Sequence, residues 1–208
     1  MTSEIKLPDT ATQDTEDAKQ LLRDHIRDRR KRRTDKQLQE LSLSIRDQVL
    51  SCTSGAHSVA FYVSVEHEPA TLPAIEALDA AGVRVLLPKL GPGLSRSWAY
   101  FTGVDDLQAL SPNRPLEPTG EALDHMELAS VDVIITPALA VDMQGNRLGQ
   151  GGGWYDRALD VSRASAPVYA LVFADEVITS RLLPVASHDV PVDGILTPER
   201  VLWLSDNS

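Results

Sequence analysis

The chain has 208 residues, a single cysteine and a formal charge of -10 at pH 7. That acidity argues against a dedicated nucleic-acid-binding protein, which carries a basic surplus. The lone Cys52 excludes an intramolecular disulfide and a cysteine-based zinc site. An apolar share of 42% is enough for a core. No apolar run approaches the roughly 20 residues that span a bilayer, and no basic segment leads an apolar one as in a secretory signal. A soluble, cytoplasmic protein with no membrane partner is expected.

Residues 1–16 are polar, acidic and interrupted by proline, and read as a disordered extension. The remainder, 17–208, reads as a single α/β domain. A helical pattern begins near Glu16, with Leu21, Leu22 and Ile26 as its apolar stripe and Lys19, Arg23, Arg27 and Arg30 on other or flanking positions. The basic stretch from Arg29 to Arg33 reads as a solvated helix face. Thr34 followed by Gln37 is a capping-box signature, so a second helix starts there, with Leu38, Leu41, Ile45 and Val49 as its buried face. Residues 58–63 (SVAFYV) read as a strand and 71–81 as a helix stopped by Gly82. Residues 83–87 (VRVLL) form a second strand ended by Pro88. Strand, helix and strand in that order make a βαβ unit with parallel strands. Residues 91–97 and 111–120 are loops rich in glycine, proline and serine, separated by a further strand at 98–101 with Trp98 in the core. Residues 131–136 (VDVIIT) are a buried strand closed by Pro137. Residues 154–162 are helical, 167–173 (PVYALVF) another buried strand, and 201–204 a last one with Trp203 in the core. The class is α/β: a mainly parallel sheet sandwiched between helices, a Rossmann-like three-layer architecture.

The informative segment runs from Asp142 to Arg157. Gly149, Gly151, Gly152 and Gly153 put four glycines within five residues, just ahead of a helix. Without a Cβ such a chain reaches positive φ and approaches a ligand closely. Its free N–H groups, together with those of the helix N-terminus, suit a polyphosphate. Arg147 adds a planar cation that can hold phosphate by two hydrogen bonds. Asp156 beside a phosphate would repel it unless the carboxylate holds Mg²⁺, which bridges both. The P-loop is ruled out because no lysine occurs here. The dinucleotide fingerprint would need glycine at Trp154 and a strand directly before the glycines.

Taken with Pro137 before them, the residues Asp142, Gly145-Asn146-Arg147-Leu148-Gly149-Gln150-Gly151-Gly152-Gly153 and Trp154-Tyr155-Asp156-Arg157 resemble the signature of the 5-formyltetrahydrofolate cyclo-ligase family, also called methenyltetrahydrofolate synthetases. Other landmarks follow in the family's order over about residues 17–200. Lys19-Gln20-Leu21-Leu22-Arg23 resembles its N-terminal ATP-contacting element, and Val63 with Glu68 its folate-contacting segment, Glu66 being the fallback for Glu68. His188-Asp189-Val190-Pro191-Val192-Asp193 resembles its C-terminal acidic element. The chain departs from the pattern at Gln150, often aromatic or basic in the family, at Gly152, often lysine, and at Trp154, usually tyrosine.

The resemblance implies an ATP- and Mg²⁺-dependent ligase that converts 5-formyltetrahydrofolate to 5,10-methenyltetrahydrofolate, releasing ADP and phosphate, and works as a monomer. The formyl oxygen is phosphorylated and N10 attacks the activated carbon. Arg147 and Asp156 are the implied catalytic residues. The implied ATP contacts are Lys19, Arg23, Arg147, Leu148, Gly149, Gln150, Gly151, Gly152, Gly153, Trp154 and Tyr155. The implied folate contacts are Val63, Glu68, Gln150, Gly151, Gly152, Gly153 and Trp154. Asp156 and Asp189 hold the metal, with Asp193 as the alternative to Asp189. Glu68 has a competing reading as the cap of the helix that starts near Thr71. Two other functions compete: another ATP-dependent ligase on the same scaffold, and an RNA-binding module using Arg23 to Arg33.

Overall fold

A computed structural model of the chain describes residues 3–90, 96–109, 114–162 and 166–204; the loops expected at 91–97 and 111–120 lie partly outside the described residues. Helices α1 (Thr15–Arg30) and α2 (Asp35–Cys52) precede strand β1 (Ser58–Ala60), and α3 (Leu72–Ala80) connects it to β2 (Arg84–Leu90) and β3 (Arg96–Tyr100). Next come the short β4 (Leu107–Gln108) and β5 (Glu117–Pro118), a 3-10 turn (His125–Ser130) and β6 (Val133–Pro137). A hairpin of β7 (Ala140–Asp142) and β8 (Arg147–Leu148) leads to α4 (Trp154–Ser162), then β9 (Val168–Leu171), β10 (Val177–Ile178), β11 (Gly194–Leu196) and β12 (Val201–Trp203).

The main sheet has seven strands in the order β12-β11-β9-β6-β1-β2-β3. β11, β9, β6, β1 and β2 pair in parallel, and the edge strands β12 and β3 run antiparallel. Alternating side chains divide two cores. Val59, Phe61, Val85, Ile135 and Leu171 face α2 and α3, whereas Ala60, Leu86, Ile134, Ala170 and Ile195 face α4 and the 3-10 turn. Each fully buried Val, Leu, Ile or Phe side chain among these contributes roughly 1.5–3 kcal/mol. The chain steps from β1 to β2 on one side and returns to β6 on the other side of β1. This reversal of strand order opens a crevice at the carboxyl ends of the strands.

A third core lies outside the sandwich. Leu22 and Ile26 of α1 pack with Ala140, Leu148, Ile178 and Leu183 on the three-stranded sheet β10-β7-β8. α1 is thereby carried over the crevice instead of lying flat on the main sheet. Leu21, expected in the apolar stripe, is exposed. Residues 3–14, expected to be disordered, lie against this third core: Ile5 is buried, its N–H donates to Asp175 O at 2.8 Å, and Glu4 accepts from Thr179 N–H at 2.9 Å.

Other local differences have physical causes. β1 is shorter than residues 58–63 because Tyr62 and Val63 leave the ladder for the crevice. β2 continues through Pro88 because β1 has ended there and only β3 pairs with it, so the missing N–H breaks no bond. Trp98 is fully buried as expected, but Trp203, on the edge strand β12, is 60% exposed. The capping box of Thr34 and Gln37 is present, while Leu38 and Leu41 are only half-buried. The basic end of α1 is a solvated face only in part: Arg29, Lys31 and Arg32 are exposed, but Arg30 and Arg33 are not. Arg30 is buried against Glu176 at 2.8 and 2.7 Å, and both Arg29 and Arg33 bond Asp175 at 3.0 and 2.6 Å. Among the described residues no helix is long and apolar enough to cross a membrane.

Candidate active site

A cavity of about 610 Å³ opens at the carboxyl ends of β1, β2 and β6. Its first wall is one face of α1, where Lys19, Arg23, Arg27 and Arg30 recur every three or four residues. The second wall is the segment 147–157. The third is apolar and is made by Val63, Pro88, Leu90, Pro115, Leu116 and Leu139.

The glycine segment is held by its carbonyls. Arg23 Nε donates to Gly149 O at 3.0 Å, Arg27 Nη2 to Gln150 O at 2.8 Å and Arg157 Nη2 to Gly152 O at 2.9 Å. Among the described residues no acceptor is found for the N–H groups of Gly149, Gln150, Gly151, Gly152 and Gly153. Gly151 and Gly153 sit at φ +105 and +59, which favours glycine, and a Cβ on Gly153 would come within 2.8 Å of the Arg157 guanidinium. The hairpin before the loop is equally constrained. Asp142 Oδ1 accepts from the N–H groups of Gln144 and Asn146 at 2.9 and 3.0 Å. Gly145, at φ +81, packs so closely that a Cβ would lie 2.3 Å from Val192 O.

Arg147, on β8, bonds Asp156 Oδ1 at 2.7 Å, and its buried Nε has no partner. Asp156 also accepts from Val190 N–H at 3.3 Å through the same oxygen. Lys19 donates to Asp189 Oδ2, which also accepts from Ala186 N–H at 2.7 Å. Burial opposes ionisation of Asp189, but the Lys19 bond and the Ala186 amide outweigh it and hold the carboxyl below its ordinary range. Among the described residues each aspartate therefore spends one oxygen on a cation and leaves the other, Asp156 Oδ2 and Asp189 Oδ1, without a hydrogen bond, the latter 3.8 Å from His188 Nε2. Asp193 is corrected: it does not line the cavity, and its carboxylate accepts from Val168 N–H at 2.8 Å.

Glu68 Oε1 accepts from Gln150 Nε2 at 2.7 Å and Oε2 from Val65 N–H at 3.0 Å. It does not cap α3, so the competing reading fails; Thr71 has no side-chain cap bond. Glu66, the fallback, also lines the cavity. Trp154 stacks edge-on against Trp98 and Tyr155, with centroids 5.1 and 4.8 Å apart. Burial, then the Glu68 charge, pushes the phenols of Tyr62 and Tyr155 upward, so both stay protonated, and neither hydroxyl has a partner.

Lys19, Arg23, Val63, Glu68, Arg147, Leu148, Gly149, Gln150, Gly151, Gly152, Gly153, Trp154, Tyr155, Asp156 and Asp189 all line this one cavity. Sequence reasoning missed Arg27 and Arg30, whose spacing from Arg23 was the available signal, and Arg157, Tyr62 and Glu117. Nothing local marks Glu117, which lies in a proline-rich stretch of sequence and on the two-residue strand β5. Cys52 stands outside the cavity, and burial pushes its thiol up to about 12. It is therefore a neutral thiol at pH 7 to 9. Cys52→Ser is expected to leave turnover within about twofold of the parent, and disulfide-exchange labelling of the folded protein should be slow; rapid labelling that abolishes turnover would contradict this.

A strand-end cavity with free amides and cations on one side and apolar groups on the other defines a three-layer α/β protein that binds an anion-bearing ligand with an apolar part. Comparison with known proteins narrows the class. The model of the 5-formyltetrahydrofolate cyclo-ligase family matches residues 15–198, and the chain belongs to that family. It is 35% identical over 180 residues to 5-formyltetrahydrofolate cyclo-ligase of Escherichia coli (strain K12), covering 85% of this chain and 98% of the relative. It is 37% identical over 148 residues to the Mycolicibacterium smegmatis protein of the same name, covering 69% and 74%. Among solved structures, Aquifex aeolicus 5,10-methenyltetrahydrofolate synthetase superposes with a TM-score of 0.75 at 26% identity, covering 91% of this chain and 94% of the other.

Proposed function

We propose that the chain catalyses the ATP-dependent closure of 5-formyltetrahydrofolate to 5,10-methenyltetrahydrofolate, with release of ADP and phosphate. One observation carries the reading: a loop whose carbonyls accept from Arg23 and Arg27 of α1 and from Arg157, and whose N–H groups find no acceptor among the described residues, lines with the basic face of α1 a cavity that also has an apolar wall. The first feature suits a triphosphate, the second a folate.

The formyl oxygen is a poor leaving group. In this reading it attacks the γ-phosphorus and ADP departs. N10 then adds to the formyl carbon and loses its proton, and the oxygen leaves within inorganic phosphate. Phosphoryl transfer of this kind needs positioning and charge neutralisation more than protein covalent chemistry. The N–H groups of residues 149–153 hold the phosphates. Lys19, Arg23 and Arg147 offset their charge, and Arg27 and Arg157 keep the loop in shape. Val63, Glu68, Gln150 and Trp154 receive the folate.

The residues also fit Mg²⁺. This ion is bound by one or two carboxylates with phosphates and water, not by an all-protein cage. Among the described residues no group of three or more His, Cys, Asp or Glu side chains is arranged to hold a metal, whereas Asp156 and Asp189 both line the cavity and each has one oxygen without a hydrogen bond, that of Asp189 lying 3.8 Å from His188. When bound there, the ion would neutralise charge on the triphosphate. The reading also has the protein working as a cytoplasmic monomer, and its one free thiol suits a reducing compartment.

The test is spectroscopic. 5,10-Methenyltetrahydrofolate absorbs in the near ultraviolet where the substrate does not, and the band is expected only with ATP and Mg²⁺ together. ADP release on other formamides without any from 5-formyltetrahydrofolate would instead favour a different ligase on this scaffold.

A further inference from the structure

Glu117 has no place in the reaction just derived, yet it lines the cavity and is only 2% exposed. Its Oε2 accepts from Leu90 N–H at 2.8 Å, while Oε1 is buried without any partner among the described residues. A buried carboxylate oxygen left unpaired is costly, and it accepts only, so it calls for an N–H or O–H donor. The carboxylate is held in place from behind. Lys89 Nζ donates to the carbonyls of Pro118, Thr119 and Gly120 at 2.9, 3.1 and 2.6 Å, clamping the end of β5 against β2. Pro88, Leu90 and Leu116 line the same cavity with apolar surface.

The two ends of a reduced folate differ in chemistry. The glutamate end carries carboxylates, which Glu117 would repel. The fused pyrimidine carries an amino group and a ring N–H side by side, both donors, on a flat ring. We propose that Glu117 is a specificity-determining residue that accepts a hydrogen bond from this amino-pyrimidine edge and so sets which end of the folate enters beneath β2 and β5. The inference rests on the cyclo-ligase reading above. The adenine amino group of ATP is another donor of the same chemistry, and the measurements separate the two.

In the full-length protein, Glu117→Gln is expected to raise KM for 5-formyltetrahydrofolate about tenfold or more while KM for ATP stays within about twofold, because a hydrogen bond to a charged acceptor is lost. Calorimetry is expected to show the parent protein binding 5-formyltetrahydrofolate at least about tenfold more tightly than its 2-desamino analogue, and Glu117→Gln losing most of that preference. A structural role would alter melting temperature without erasing discrimination between the two folates. A rise in KM for ATP alone, or a preference retained in the variant, overturns the proposal. Should the variant not fold, equal affinity of the parent for both folates overturns it and a tenfold preference supports it. If the parent shows no turnover with ATP, the reaction assignment fails, and the calorimetric comparison still decides on Glu117.

Discussion

Asparagine in place of Asp156 is expected to lower turnover of 5-formyltetrahydrofolate with ATP by about 10³-fold, the scale at which electrostatic groups act in phosphoryl transfer. The substitution keeps an oxygen that can accept from Arg147, now 2.7 Å from Oδ1, and from Val190 N–H. It removes the negative charge and turns the free Oδ2 into an amide donor, which cannot bind a cation. Side-chain shape and one hydrogen-bond acceptor survive, but the buried Arg147 loses its counter-charge, so stability should also fall, by up to about 3 kcal/mol or on the order of 10 °C in a chain of this size, which still leaves the variant folded at assay temperature. Alanine is a poorer probe, since it would leave Arg147, with a side chain only 3% exposed, without the acceptor oxygen as well as without the charge. The measurement pairs initial rates from the near-ultraviolet band, over a magnesium titration, with thermal melting. A variant within tenfold of the parent rate at low magnesium would remove Asp156 from any metal role.

The largest expected loss of stability lies at Arg30. Its guanidinium and the Glu176 carboxylate are 2% and 1% exposed, bonded at 2.8 and 2.7 Å, and Arg30 also donates to Ala138 O at 2.7 Å. Burial works against the charge on Arg30, but the Glu176 carboxylate outweighs it and shifts its pKa upward. Arg30→Met would leave the buried Glu176 carboxylate with only the Phe173 amide and the longer Arg33 contact at 3.6 Å, at a cost of up to about 3–5 kcal/mol. At roughly 2–4 °C per kcal/mol this lowers the melting temperature by on the order of 10 °C. Arg30→Met with Glu176→Gln removes both charges and keeps an acceptor for Phe173 N–H, which Glu176 now binds at 3.0 Å. It should recover most of the loss, because burying a charged pair is itself nearly balanced by desolvation. Chemical denaturation of the two variants decides the matter. Equal loss in both would mean that packing around residue 30, not the charge pair, is responsible.

Much of this architecture was legible before any coordinates. α4 begins and ends where its pattern indicated, and the Thr34 and Gln37 cap lies where the spacing implied. The ordered run from Asp142 to Arg157 pointed to phosphate chemistry because the properties involved are local: absent Cβ atoms, a helix start, an arginine and an aspartate within reach. The strands missed, β4, β5, β7, β8, β10 and β11, span two or three residues each. Such segments are too short for a period of two to register, and they exist because a partner strand is already present.

Local chemistry along the chain thus determined the class of fold, the glycine loop and the cation-rich helix that serves it. The tertiary structure alone decided how the charges pair: Arg23 reaches a carbonyl 126 residues away, Arg30 finds Glu176 at a separation of 146, and Lys19 finds Asp189 at 170. It also decided that Glu117 is buried with one oxygen unsatisfied and that Asp193 serves β9 instead of the cavity. Whether a carboxylate is a metal ligand, an ion-pair partner or a strand cap depends on burial and on which donor stands within about 3 Å, and sequence neighbours do not encode either.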